Sequence, residues 1–251
     1  MSQVSSEDLY IDLLKRVLVN TIFCDPQITG GRPAPYDAYK REIGADWPRD
    51  AHTMVGRRRL DSLDFACRTA IREGVRGDFL EAGVWRGGAS IMMLGILKAM
   101  GETNRQVILA DSFEGLPPPD PSSFPADAGD DFHVYSDLAV SLETVKENIA
   151  RYGLLDDRAV FLKGWFKDTL TTAPTDAIAV ARLDGDMYES TWQSLTALYS
   201  RCSPGAFIIL DDYGCVPGCR QAATDFREVN NIDDPIHEID WTGVYWRKGS
   251  A

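Results

Sequence analysis

Along the first quarter of the chain the apolar positions recur at helical spacing. Over 7–23, Leu9, Ile11, Leu13, Leu14, Val17, Leu18 and Ile22 fall near a 3.6-residue period and predict an amphipathic helix. The stretch "CDPQITGGRPAPYD" follows, and its glycines and prolines are expected to break any regular element. A second helical pattern runs over 54–73, carried by Met54, Val55, Leu60, Leu63, Phe65, Ala66, Ala70 and Ile71, and ends at Gly74. From Gly77 the texture changes: short apolar runs alternate with helical stretches, the pattern of a parallel sheet covered on both faces by helices. Strands are predicted over 78–83, 106–110, 158–162, 177–183 and 206–210, with helices over about 88–100, 141–151, 189–200 and 217–229. The tail "PIHEIDWTGVYWRK" reads as two further strands joined at Thr242–Gly243.

The expected fold is therefore α/β: a doubly wound, mostly parallel sheet of about seven strands over 76–251, closed by an antiparallel C-terminal hairpin and preceded by a helical appendage over 1–75. Residues 114–136 are too long and too rich in Pro and Asp for a plain connector, and they read as a lid. No internal repeat is found.

Composition narrows the classes of partner. A chain of 251 residues with 44% apolar content can bury one ordinary core. A net charge of −12 repels nucleic-acid backbones and anionic membranes, so neither is the expected partner; a neutral or cationic small molecule suits it better. "MSQVSSEDLYIDLLKRVLV" carries acids ahead of its apolar part and Lys15–Arg16 inside it, which is neither a signal peptide nor a membrane span, and the expected location is the cytoplasm. Five cysteines without a paired CxxC spacing suit a reducing compartment; Cys215 and Cys219 read as buried small hydrophobes.

In an open α/β sheet, ligands bind beyond the carboxyl ends of the strands. The first such turn, "LEAGVWRGGAS", has Gly83 to let backbone approach a ligand and Gly87–Gly88 to open a helix with free N–H groups. It matches neither a phosphate-binding loop nor a full dinucleotide fingerprint, and suits a nucleoside without phosphates or a simple strand-to-helix turn. The second strand ends at Asp111, which is placed to accept ribose hydroxyls or to make a turn of its own. After the third comes "KGWFKDTL", where Trp165 and Phe166 could flank an adenine or join the core.

The fourth and fifth strands end in acids, "ARLDGDMYES" and "FIILDDYG". Neighbouring strands bring Asp184, Asp211 and Asp212 within one cation's reach, although any one of them could be a helix cap. Converging acids with no basic residue read beside them would repel one another strongly, and a hard cation such as Mg²⁺ is the economical explanation. Asp186, in the turn after Asp184, could cap the next helix or take a proton from a metal-bound hydroxyl. Of the three histidines only His133, in the lid, is considered near a substrate, and a solvated loop residue is the plainer reading.

"GDFLEAGVWRGGAS", "ADSFEGLP", "RYGLLDDRAVFLKGWFKDTL", "RLDGDMYEST" and "FIILDDYG", in that order, resemble the macrocin O-methyltransferase (TylF-type) family from about residue 8 to the end. The resemblance implies an S-adenosylmethionine- and Mg²⁺-dependent enzyme of the class I methyltransferase fold that methylates a deoxysugar hydroxyl of a glycosylated antibiotic such as a macrolide or aminocoumarin. It implies Asp184, Asp211 and Asp212 as metal ligands and Asp186 as general base. Glu81, Ala82, Gly83, Val84, Trp85 and Arg86 are implied at the methionine end of the cofactor, Asp111 and Ser112 at its ribose, and Trp165 and Phe166 near its adenine. Thr53 and Met54 resemble a segment reaching over the cofactor. Ala82 stands where a Thr is expected, so a hydroxyl contact is missing there. The lid and the Gly30–Tyr36 stretch match poorly and are expected to select the acceptor. A catechol-type O-methyltransferase, a DxD metal-dependent glycosyltransferase and a non-catalytic cofactor-binding protein are the alternatives. The N-terminal helix offers an interface, and a homo-oligomer is expected.

Overall fold

The computed structural model describes residues 5–29 and 32–249. Helix α1 (Ser6–Leu18) starts where Ser5 accepts the N–H of Asp8, with Glu7 and Asp8 at its positive end and Lys15 and Arg16 at its negative end. It stops five residues short of the amphipathic pattern. The carbonyl of Val19 is taken by the Arg41 guanidinium at 3.0 Å, and Asn20 turns into the left-handed region at φ 53°. The Pro/Gly-rich stretch does hold regular structure, contrary to expectation: β1 (Gln27–Thr29) pairs antiparallel with β2 (Arg32–Ala34), and α2 (Ala38–Ile43) is capped by Asp37. Gly30 and Gly31 lie outside the described residues. Buried Arg41 organises this region, binding Asp46 through Nε and Asp25 through Nη1 at 2.6 Å.

After α3 (Gly56–Arg72) the sheet domain proceeds as β3 (Asp78–Ala82), α4 (Gly88–Ala99), β4 (Val107–Asp111), α5 (Leu142–Arg151), β5 (Ala159–Lys163), α6 (Phe166–Thr169), β6 (Ile178–Leu183), α7 (Tyr188–Leu198), β7 (Cys202–Leu210), α8 (Pro217–Val229), β8 (His237–Glu238) and β9 (Val244–Arg247). The strand order is β5-β4-β3-β6-β7-β9-β8, parallel from β5 to β7 and antiparallel at β9 and β8. The chain steps outward from β3 through β4 to β5, then crosses back to β6. That reversal opens a crevice at the carboxyl ends of β4, β3 and β6.

Strands β3, β4, β6 and β7 are apolar runs because helices cover both of their faces; β6 is buried at every position. Ile11, Leu14 and Leu18 of α1 and Leu60 and Leu63 of α3 join the same apolar core as the sheet, so the N-terminal quarter packs onto the sheet domain without a second core. The 114–136 segment carries short 3₁₀ turns at Pro125–Asp127 and Phe132–Val134, with another at Ser136–Leu138 just beyond. No helix among the described residues is long and apolar enough to cross a membrane.

Candidate active site

The carboxyl ends of β3, β4, β6 and β7 open into one cavity of about 510 Å³, a size suited to a small-molecule site. Its first wall is the turn after β3. Gly83 adopts φ 91°, and a Cβ there would run into the carbonyl oxygen of Asp184, so this glycine brings the ends of β3 and β6 together. Glu81, Gly83, Val84 and Trp85 line the cavity, and the Trp85 indole N–H donates to the Asp137 carbonyl of the lid side at 2.9 Å.

Ala82 and Arg86 do not line the cavity. Ala82 is fully buried in the core beneath the turn. Arg86 points the other way, donating to the carbonyls of Pro48 and Ala51 and lying 4.1 Å over the Trp85 ring, so it ties down the N-terminal segment instead of reaching a ligand. That segment contributes Thr53 and Met54 to the wall.

Asp111, at the end of β4, accepts the N–H of Val84 at 2.6 Å and that of Phe113 at 2.7 Å, so it does make its own turn and also fastens the glycine turn. Longer contacts of 3.4 Å come from Trp85 N–H and the Ser112 hydroxyl, and these are the ones a ribose diol could displace. Burial pushes its carboxyl up against the pull of those N–H groups. Ser112, Trp165 and Phe166 also line the cavity, the Phe166 ring lying against Gly185 between Asp184 and Asp186.

The acids stand beside the glycine turn, at the ends of β6 and β7. Asp184, Asp211 and Asp212 each bring a carboxylate oxygen within 4.8 Å of the others, and Asp186 lines the same wall. The expectation that no basic residue accompanies them is corrected. Arg182, inside β6, donates to Glu81 at 2.7 Å, to Asp184 at 2.8 Å and to Asp211 at 2.5 Å. Arg59 of α3 binds both Asp211 and Asp240. A readable signal existed for Arg182: a charged residue within an apolar strand buried on both faces requires a partner acid. Arg59 carried none, because its partners lie 152 and 181 residues away.

Glu81, Asp184, Asp186, Asp211, Asp212 and Asp240 thus set six carboxyl groups against the two guanidiniums of Arg59 and Arg182. The imbalance falls on particular groups. Burial raises Asp211, but Arg182 and Arg59 outweigh it and hold its carboxyl low. Asp186 and Asp212 are driven well above the carboxylate range, by burial first and then by neighbouring acids. Glu81 is pushed to about 7 by burial, although Arg182 and the Ser90 hydroxyl oppose it. An all-oxygen donor set with excess negative charge fits a hard divalent cation.

Asp186 does not cap the helix that follows it. It sits at φ 58°, its N–H donating to Asp212 at 3.3 Å, and α7 is capped by Asp127 of the lid. His133 is exposed and away from the cavity, which its neighbour Phe132 lines. Trp47, Gln193 and Trp241 also line the wall and were not read from the sequence; an isolated aromatic or amide on a loop or helix gives no positional signal.

The profile of the macrocin-O-methyltransferase (TylF) family matches residues 7–248. The chain is 51% identical to the 8-demethyl-8-(2,3-dimethoxy-alpha-L-rhamnosyl)-tetracenomycin-C 4′-O-methyltransferase of Streptomyces olivaceus, over 98% of this chain and 95% of that one. It is 48% identical to the mycinamicin III 3″-O-methyltransferase of Micromonospora griseorubida over the full length of both. Among solved structures it superposes on the O-methyltransferase NovP with a TM-score of 0.94 at 43% identity, covering 98% of this chain and 100% of that one.

Proposed function

The chain belongs to the macrocin O-methyltransferase family, and on that premise we propose that it methylates a sugar hydroxyl of a glycosylated natural product, using S-adenosylmethionine and a Mg²⁺ ion held by Asp184, Asp211 and Asp212. The observation that carries the reading is the sharing of one cavity by the glycine turn with Asp111 and by the acid cluster with Asp186.

S-adenosylmethionine supplies an electrophilic sulfonium methyl. A cation held by the three aspartates would supply a Lewis acid toward the acceptor hydroxyl. The remaining work belongs to the chain. The turn after β3, fastened by Asp111, sets where the donor lies; a cation on the neighbouring acids would offset the charges that push Asp186 up, and its ionised carboxylate then receives the hydroxyl proton. Arg59 and Arg182 keep Asp211 ionised and Arg182 orients Asp184, so two of the three proposed ligands are held before any ligand arrives. Attack by an oxyanion on a sulfonium cancels charge, so a dry cavity favours it. The lid supplies that exclusion: Asp137 is bonded by Trp85, and the Tyr135 ring meets Trp47 of the N-terminal segment edge-on at 5.4 Å.

The relatives' names differ in the position methylated, 4′ in one and 3″ in the other. The rhamnosyl group named for the first carries methoxy groups at positions 2 and 3, so an ether oxygen there stands beside the 4′ hydroxyl and a free vicinal diol is not a requirement. Calorimetric titration of S-adenosylmethionine, followed by methyl transfer to glycosylated macrolides, aminocoumarins and catechols with Mg²⁺ or EDTA, tests the reading. Donor binding and EDTA-sensitive transfer to a sugar are expected. Absence of donor binding would overturn it, transfer indifferent to EDTA would remove the cation, and preference for catechols would favour the catechol-type alternative.

A further inference from the structure

We infer that Asp127 of the lid is a positioning residue for the turn that carries Asp186, tying the lid and that turn into one mechanical unit; the inference rests on the function proposed above. Helix α7 begins at Tyr188, and the residue at its cap, Met187, has no side-chain oxygen to offer the free N–H groups of the first turn. Those groups are met from 61 and 62 residues away. One Asp127 oxygen accepts the N–H of Tyr188 at 2.6 Å and the other accepts that of Glu189 at 2.9 Å. The negative charge also suits the positive end of the helix.

The junction is sealed. Asp127 is 3% exposed, and a Cβ on Gly218 of α8 would come within 2.9 Å of its carboxylate and 3.0 Å of the Tyr188 nitrogen. The Phe124 ring of the lid lies 6.1 Å from the Tyr188 ring and adds an apolar contact beside the bonds.

The turn between β6 and α7 needs such an anchor. Asp186 holds a left-handed conformation at φ 58°, uncommon for a residue with a side chain and kept only where the surroundings impose it. On the strand side the N–H of Asp184 is fixed by the Ala82 carbonyl at 2.8 Å. In the middle the N–H of Asp186 has a 3.3 Å contact to Asp212. On the helix side the start of α7 is fixed by Asp127. Loss of these two bonds frees the end where α7 begins and leaves the turn to its strand-side bond, the longer Asp212 contact and its internal Met187 N–H to Gly185 carbonyl bond of 2.7 Å, so the direction of the Asp186 carboxylate is less firmly set. A lid that moves to admit an acceptor therefore also loosens the proton acceptor, and closing restores it.

Asp127→Ala and Asp127→Asn test this by hydrogen exchange over 184–190 and by steady-state kinetics. In the Ala variant exchange in that segment rises while the sheet stays protected, kcat falls roughly tenfold to a hundredfold and the KM for S-adenosylmethionine stays within about twofold. Asn rescues only in part, with kcat between those of the Ala variant and the wild type, because its one amide oxygen can keep one of the two bonds while its NH2 group faces the other N–H. Unchanged exchange over 184–190 overturns the inference, as does raised exchange with unchanged kcat, and so does a general rise in exchange with kcat and donor affinity lost together. If the wild type transfers no methyl group the proposed function fails, and the exchange data alone then decide whether Asp127 holds the turn.

Discussion

Replacing Arg182 with methionine separates the two roles of positive charge in the acid cluster. The guanidinium is almost excluded from water and is bonded to Glu81 at 2.7 Å, Asp184 at 2.8 Å and Asp211 at 2.5 Å. Methionine fills much of the same volume but leaves three carboxyl groups without that partner. Removing one member of a buried ionic network typically costs about 3–5 kcal/mol, because the remaining charges stay buried and uncompensated. For a chain of this length each kcal/mol is worth about 2–4 °C, so the metal-free Arg182→Met protein should melt about 6–20 °C below the wild type. Deleting a positive charge also deepens the field at the aspartates; Arg59 still holds Asp211, and if this field outweighs the lost orientation of Asp184, Mg²⁺ should bind the variant more tightly. Each tenfold gain in affinity adds about 1.4 kcal/mol under saturating cation, so Mg²⁺ should raise the variant's melting temperature several degrees more than the wild type's. Thermal melts in EDTA and in excess Mg²⁺ read both effects. A variant that melts within a degree or two of the wild type in EDTA, or gains no more from Mg²⁺, refutes the electrostatic account.

Asp186→Asn removes the proposed proton acceptor while keeping a side chain of the same size, so kcat should fall about 10²–10⁴-fold with S-adenosylmethionine affinity little changed; near-normal turnover would remove Asp186 from the mechanism. Glu81 gives a pH signature. Its native carboxyl is raised to about 7 from an ordinary value of 4.5, so between these values the folded state holds a proton that the unfolded state releases. Its contribution to stability is full below about 4.5 and is lost as the pH rises through about 7. The metal-free Glu81→Gln variant should accordingly lose less stability than the wild type across that interval in chemical denaturation; parallel pH profiles would show that Glu81 does not titrate there.

The sheet was legible because buried strands are written as apolar runs, and β3 to β6 each start within a residue of the expected position; β7 starts four residues early, at Cys202, because Ser203, Pro204 and Gly205 interrupt the apolar run that marks it. The N-terminal region was less so. A three-residue strand such as Gln27–Thr29 is too short to show a period, and α1 ends where a guanidinium 22 residues away claims its last carbonyl. The acids of the site could be found because a ligand edge is defined by where strands stop. Their neutralisers could not be found so directly. Arg59 reaches Asp211 across 152 residues, and Asp127, which caps α7 from 61 residues away, was hidden in the same way, since only folding makes such residues neighbours. Arg86 shows the opposite case: it sits within the turn expected to meet the cofactor, yet its side chain is bonded to the N-terminal segment.

The cavity divides by stiffness as well as by chemistry. Glu81, Asp111, Asp184, Asp211 and Asp212 stand on or just past parallel strands, whose ladders fix their backbone to within the tolerance that transfer chemistry needs. The remaining wall comes from loops: Trp47 before α3, Leu116 to Pro118 and Phe132 from the lid, and Trp241 from the turn between β8 and β9. On the proposed function this is where an acceptor is chosen. Changes in these loops leave the strand ends in place, so different sugars and scaffolds can be presented to one unchanged set of acids. Asp127 is the exception that gives the arrangement its control, since it is the lid carboxylate bonded to the start of α7. Acceptor selection can be varied freely only where it spares that contact; elsewhere in the lid a substitution should alter KM for the acceptor and leave the rate of the bound complex intact.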